Sequence, residues 1–167
     1  FETICEVAVI ARDVIADLGL KAYAKTSGSR GIHVYVPIKP EYTYDQIADV
    51  ATRIAKLVAN EAPKSATVER SKSKRKASQM YVDHMQNAYG KSVVAPYSVR
   101  PKPGATVSAP LEWKEVEKKK ITTKDFTIEN MVERIKKKGD LFGPVLKNKQ
   151  SLEKAMEKLK GESKKAK

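Results

Sequence analysis

The chain has 167 residues, 41% of them hydrophobic, enough to bury one core of ordinary size, which excludes an intrinsically disordered polymer. It carries 33 Lys and Arg against 20 Asp and Glu, net +13, so the expected partner is a polyanion, nucleic acid before membrane. No apolar run reaches the length of a membrane span, no secretory signal opens the chain, and the single cysteine, Cys5, allows no internal disulfide and fits a reducing cytoplasm.

The charge is uneven: residues 1–63 carry 7 basic and 8 acidic side chains, residues 64–167 the remaining 26 and 12. Lysine used only for solubility is the competing explanation. Along residues 2–18, Ile4, Val7, Ala8, Ala11, Val14, Ile15 and Leu18 recur at three-and-four spacing, which predicts an amphipathic helix ended by Gly19. Residues 21–25 then form a short strand. A glycine-bounded turn follows, and Ile32 to Val36 alternates as a second strand.

That turn, Lys25 to Pro37, is the most informative stretch. Gly28 and Gly31 allow positive backbone angles, so the intervening amides are expected to turn inward as an anion-binding nest. Ser27 and Ser29 add hydroxyls, Arg30 a planar fork and His33 an imidazole, a donor set suited to a polyphosphate. The same residues are also ordinary hairpin chemistry. Thr43 with Gln46 is a capping box for a helix over 44–61, with Ile47, Val50, Ala51, Ile54, Leu57 and Val58 on its buried face and Pro63 closing it.

Thr67 to Arg70 starts another strand. The run from Arg70 to Lys76 has five basic residues in seven and no apolar anchor, hence a loop. Its Lys72, Lys74, Arg75 and Lys76 either grip a phosphate backbone or are simply solvated. Gln79 to Met85 alternates as a strand in which Asp83 is out of place, so it is either a turn initiator or a metal carboxylate. Residues 92–99 are expected as a strand, with Pro96 at a bulge or an edge position, delivering Arg100 at its end. A proline-rich connector leads to Trp113, an anchor rather than a stacking platform. Thr127 caps a helix with an apolar stripe of Ile128, Met131, Val132 and Ile135, ended by Gly139. Leu141, Phe142 and Val145 dock on the core, 150–160 is a further helix, and 161–167 reads as a tail or linker. The division is therefore 1–113, 114–160 and 161–167. The fold class is α/β or α+β, a mixed sheet flanked by helices with a helical C-terminal segment.

Three segments carry a family resemblance: Lys25 to Pro37, Met80 to Asn87 and Val94 to Arg100. In order and spacing they resemble the polymerase domain of end-joining DNA ligase D, in the archaeo-eukaryotic primase superfamily, from Phe1 to about Trp113. Arg30 stands where that family usually has Lys. The resemblance implies a primase-like sheet of the RRM type and a nucleotidyltransferase that adds nucleotides, ribonucleotides favoured, at DNA ends in non-homologous end joining. It further implies manganese or magnesium, nucleoside triphosphates (NTP or dNTP), a DNA-ligase partner, the end-binding protein Ku and a nucleoid-associated, cytoplasmic location. Ser27, Arg30, His33, Gln86 and Arg100 match nucleotide-binding positions, and Asp83 matches the third of three metal aspartates. The other two form an Asp-x-Asp pair that in the family precedes the segment matching Phe1, and no such pair occurs near the start of this sequence. This chain alone is therefore expected to be inactive. The alternative is a non-catalytic nucleotide- or DNA-end-binding module working beside a separate catalytic chain. A general RNA-binding domain fits less well, for want of paired surface aromatics.

Overall fold

The computed structural model describes the backbone of residues 1–165 and side chains through residue 161. Eleven helices and strands follow one another through the described residues: α1 (Glu2–Asp17), β1 (Tyr23–Thr26), β2 (Ile32–Tyr35), α2 (Tyr44–Glu61), β3 (Ala66–Thr67), β4 (Met80–Tyr81), β5 (Pro110–Leu111), α3 (Trp113–Glu117), α4 (Ile128–Lys138), α5 (Gly143–Lys147) and α6 (Glu153–Lys165). Short 3-10 turns cover Lys72–Lys74 and Thr123–Asp125. The class is mixed α+β, as expected.

The antiparallel sheet has the order β2-β1-β5, with β1 in the middle. Ala24 faces Val34 and Leu111 in register, while Lys25 faces His33 and Pro110. Period-two alternation therefore splits the sheet into two chemically different faces. Ala24, Ile32, Val34 and Leu111 pack with Cys5 and Ala8 of α1 and with Val107, Ala109, Val116, Phe126 and Met131. The other face carries Lys25, His33 and Tyr35. Cys5 is wholly buried, and burial pushes its thiol up, so it is a packed side chain.

Local signals explain the helices that were legible. Thr43 accepts from the Gln46 amide while the Gln46 side chain accepts from the Thr43 amide, closing the capping box of α2. Thr127 and Asn130 do the same for α4, and Gly139 ends it at φ 71°. Trp113 anchors the connector, as expected: its Nε1 donates to the Ala22 carbonyl at 2.9 Å, and the Arg12 guanidinium lies over its ring.

Four expectations are corrected. Residues 92–99 are not a strand: Pro96 has no N–H to offer, and Tyr97 sits at φ 63°, so only an isolated bridge between Val99 and Val107 remains. Tyr97 is held there by its hydroxyl, which donates to Asp140 at 2.6 Å. The 79–85 and 67–70 strands shrink to a two-residue parallel pair, β3 with β4. On α4 only Met131 is buried, whereas Ile128, Val132 and Ile135 are exposed. The helix instead docks through Arg134, which lies over Phe126 and makes a two-toothed ion pair with Glu115. Burial alone would raise the Glu115 carboxyl, but that pairing holds it down at about 2. Finally, α6 continues through 161 to Lys165, where a tail was expected; Ala166 and Lys167 lie outside the described residues.

Candidate nucleotide site

The polar face of the sheet opens into a cleft of about 280 Å³ lined by Ser27, Ser29, His33, Asp83, Gln86, Ser92, Val93, Val94 and Arg100. Three separated segments meet there: the turn after β1, the chain after β4, and the irregular stretch after residue 91. Ser27, His33, Asp83, Gln86 and Arg100, singled out from sequence, are thus brought together. A larger hollow of about 340 Å³, lined by residues such as Val14, Leu18, Leu57 and Lys158, offers no comparable set of donors.

The turn is built differently from the expected nest. Ser27 Oγ accepts from the amides of Ser29 (3.1 Å) and Gly31 (3.0 Å), and the Ser27 amide donates to the Gly31 carbonyl. Those amides are consumed inside the hairpin. Only Gly28 has positive φ, and its missing side chain leaves the path that Arg100 takes across the turn. Accepting two amides leaves the Ser27 hydroxyl its own proton to donate.

Beneath the cleft, Lys25 is completely buried on the central strand. Its Nζ lies 2.5 Å from Ser108 Oγ and 3.2 Å from His33 Nδ1, and over the Tyr35 ring at 5.6 Å. Among the described residues no carboxylate forms an ion pair with Lys25 or Arg100. Arg100 Nε is buried and has no hydrogen-bond partner. Burial, then the Arg100 charge, pushes Lys25 down to about 8. His33 is pushed down to about 4 by burial, then by Lys25 and Arg100, against an opposing pull from Asp83. A buried ammonium shifted this far costs the fold about 3 kcal/mol at neutral pH. A site that keeps this ammonium without a carboxylate, beside an Arg100 whose Nε has no partner, is complementary to an anion.

Asp83 is exposed and its Oδ1 accepts from the Met85 amide at 3.0 Å, so it starts a turn and also lines the cleft. Among the described residues no cluster of three His, Cys, Asp or Glu is placed to hold a metal ion. One carboxylate does not make up a two-ion site, and these residues do not fit one by themselves. Arg30 is exposed and does not line the cleft. Two contributors escape a reading of the sequence. Lys25 stands inside the motif with no role evident, although its place opposite His33 in a two-residue alternation is a usable signal; Ser108 has no local signal at all.

In the basic loop, Lys72, Lys74 and Lys76 are exposed, but Arg75 is not a free cation: it lies over Tyr81 and donates to the Arg70 carbonyl. Replacing Lys72, Lys74 and Lys76 with Ser is expected to lower the salt slope of duplex-end binding by about 0.9 for each phosphate that these lysines neutralise. Equal slopes would assign them to solvent. Arg75→Ser belongs in a stability assay, since its loss uncovers Tyr81.

The family model described as "LigD, primase-polymerase domain" matches residues 1–142. The "Bifunctional non-homologous end joining protein LigD" of Bacillus subtilis (strain 168) is 37% identical over 138 residues, 82% of this chain and 22% of that protein. The "Multifunctional non-homologous end joining protein LigD" of Mycolicibacterium smegmatis is 33% identical over 142 residues, 85% of this chain and 18% of that protein. Among solved structures, the "Polymerase Domain from Mycobacterium tuberculosis Ligase D in complex with DNA" superposes with a TM-score of 0.81 at 32% identity, over 89% of this chain and 50% of that one. The chain thus spans about a fifth of these curated relatives and half of the solved domain. No helix among the described residues is long and apolar enough to cross a membrane. With the match running from the first residue through the whole of the cleft, the chain belongs to the LigD primase-polymerase domain family.

Proposed function

We propose that this chain supplies the triphosphate-binding part of a repair polymerase that adds nucleotides, ribonucleotides favoured, at broken DNA ends. The observation that carries the reading is the pair of cations without an ion-pair partner, Lys25 and Arg100, beneath and beside a cleft whose walls include the hydroxyls of Ser27, Ser29 and Ser92 and the Gln86 amide. In this reading the triphosphate lies along Ser27, Ser29, His33 and Arg100, with Gln86 as a further lining contact and Arg30 as an outer one. Nucleotidyl transfer asks mainly for alignment and charge neutralisation, which such donors provide. Manganese or magnesium, a DNA-ligase partner and Ku belong to the same proposal by family membership. The basic second half is its DNA-facing surface.

A single cleft carboxylate favours one alternative, a nucleotide-binding module that works only beside a separate catalytic chain. Both readings share one test. Arg100→Ala removes charge-assisted hydrogen bonds and should weaken nucleoside-triphosphate binding by about 1.5–3 kcal/mol in calorimetric titration. Arg30→Ala, outside the cleft, should cost less. Unchanged affinity in Arg100→Ala would remove the triphosphate from this cleft.

A further inference from the structure

Lys25 and His33 are directly opposed across β1 and β2, with 3.2 Å between Lys25 Nζ and His33 Nδ1. The direction of the hydrogen bonds can be followed proton by proton. Ser108 Oγ donates its only proton to the Thr26 carbonyl at 2.9 Å, so it meets Lys25 as an acceptor. Lys25, as an ammonium, has donors and no acceptor, so His33 Nδ1 must accept as well. A neutral imidazole that accepts at Nδ1 carries its proton on Nε2.

The second histidine, His84, meets a hydroxyl in place of an ammonium. Thr52 Oγ1 lies 2.7 Å from the Ala48 carbonyl and 3.1 Å from His84 Nδ1. That hydroxyl has one proton to give and can meet His84 as donor or as acceptor, so it fixes no tautomer there. The chain holds two histidines in all, so His84 serves as the internal reference for changes at His33.

We propose that Lys25 is a positioning residue that fixes His33 as the Nε2–H tautomer, making it a neutral hydrogen-bond donor to an anionic oxygen in the cleft. His33 in this state neither accepts a proton at Nε2 nor offers that nitrogen to a metal. The geometry that demands it is buried and built from backbone-anchored partners: Lys25 and Ser108 are both completely buried. That the oxygen belongs to a triphosphate rests on the nucleotide-cleft reading; the tautomer itself does not.

Nitrogen-15 NMR of the imidazole side chains of the free protein at neutral pH tests the tautomer. The expected spectrum shows His33 protonated at Nε2 and bare at Nδ1. A His33 proton on Nδ1 overturns the proposal without any variant having to fold. Lys25→Met should lose the fixed pattern at His33 while His84 keeps its own, whereas a His33 pattern unchanged in a folded Lys25→Met protein would remove Lys25 from the role. Addition of ATP without metal then separates the two layers. If ATP binds, the His33 Nε2 resonance should shift and Lys25→Met should bind about tenfold or more weakly. Binding with an unmoved His33 resonance overturns the donor role. No ATP binding at all, with the His33 tautomer as stated, sinks the nucleotide-cleft reading and the donor-to-phosphate role with it, and leaves only the Lys25–His33 lock.

Discussion

Replacing Gly28 with alanine is expected to destabilise the protein by about 2–5 kcal/mol and to abolish the arrangement of the cleft. Two effects add. At φ 63°, an L side chain pays about 1–2 kcal/mol for left-handed backbone. The new Cβ would also lie 2.5 Å from Arg100 Cγ and 3.0 Å from both the Ser108 nitrogen and the Val107 carbonyl carbon. The arginine can swing away; the backbone of 107 and 108 cannot, because Thr26 holds it from both sides through Val107 and Ala109. Overpacking against fixed backbone costs about 1–3 kcal/mol more. Gly31→Ala is the control: its φ is not positive, and an added Cβ meets nothing within 4 Å. Urea denaturation should show a large loss for the first variant and under about 1 kcal/mol for the second. A Gly28→Ala protein as stable as the parent would mean that Arg100 does not cross the turn.

From the sequence those two glycines are equivalent, because the feature that separates them, the backbone of Val107 and Ser108, lies far along the chain and leaves no local trace. What was legible follows the same division. The α1 periodicity, the Thr43 and Thr127 caps and the β1–turn–β2 alternation are decided within a few residues, and each appears in the structure. The extended 92–99 segment was misread because its apolar run satisfied β-propensity, while Pro96 and a left-handed Tyr97, tied down by Asp140, decided its course. The stripe on α4 was periodic, but a stripe is buried only where something packs on it; here Arg134 and Met131 face the core. In the cleft, residue types pointed to an anion, and the three motif segments did converge. Lys25 stayed hidden because a strand lysine is ordinarily solvated. Only tertiary structure shows it buried beneath His33.

Asp83→Asn is expected to abolish primer extension in a polymerase domain completed around this chain, while leaving folding intact. Asp83 does two separable things. Its Oδ1 receives the Met85 amide, which an asparagine carbonyl oxygen receives equally well, so the turn and the thermal stability should persist. Its charge, however, is the one negative charge lining a cleft that Arg100 also lines and Lys25 underlies, and asparagine removes it. Divalent ions bind to oxygen, and a neutral amide is a poor replacement for a carboxylate. The 167-residue chain by itself is expected to extend no primer with manganese or magnesium, since one carboxylate falls short of a two-ion site. Joined to the other half of a LigD polymerase domain, covalently or as a second chain, it should extend, and Asp83→Asn should lower that rate by more than about a hundredfold. Nucleotide affinity measured without metal should not fall in the variant, because removing a negative charge can only help an anion to bind. Extension by the isolated chain would mean that the catalytic carboxylates lie elsewhere among these residues. Full activity of the completed Asp83→Asn protein would leave Asp83 with its turn alone.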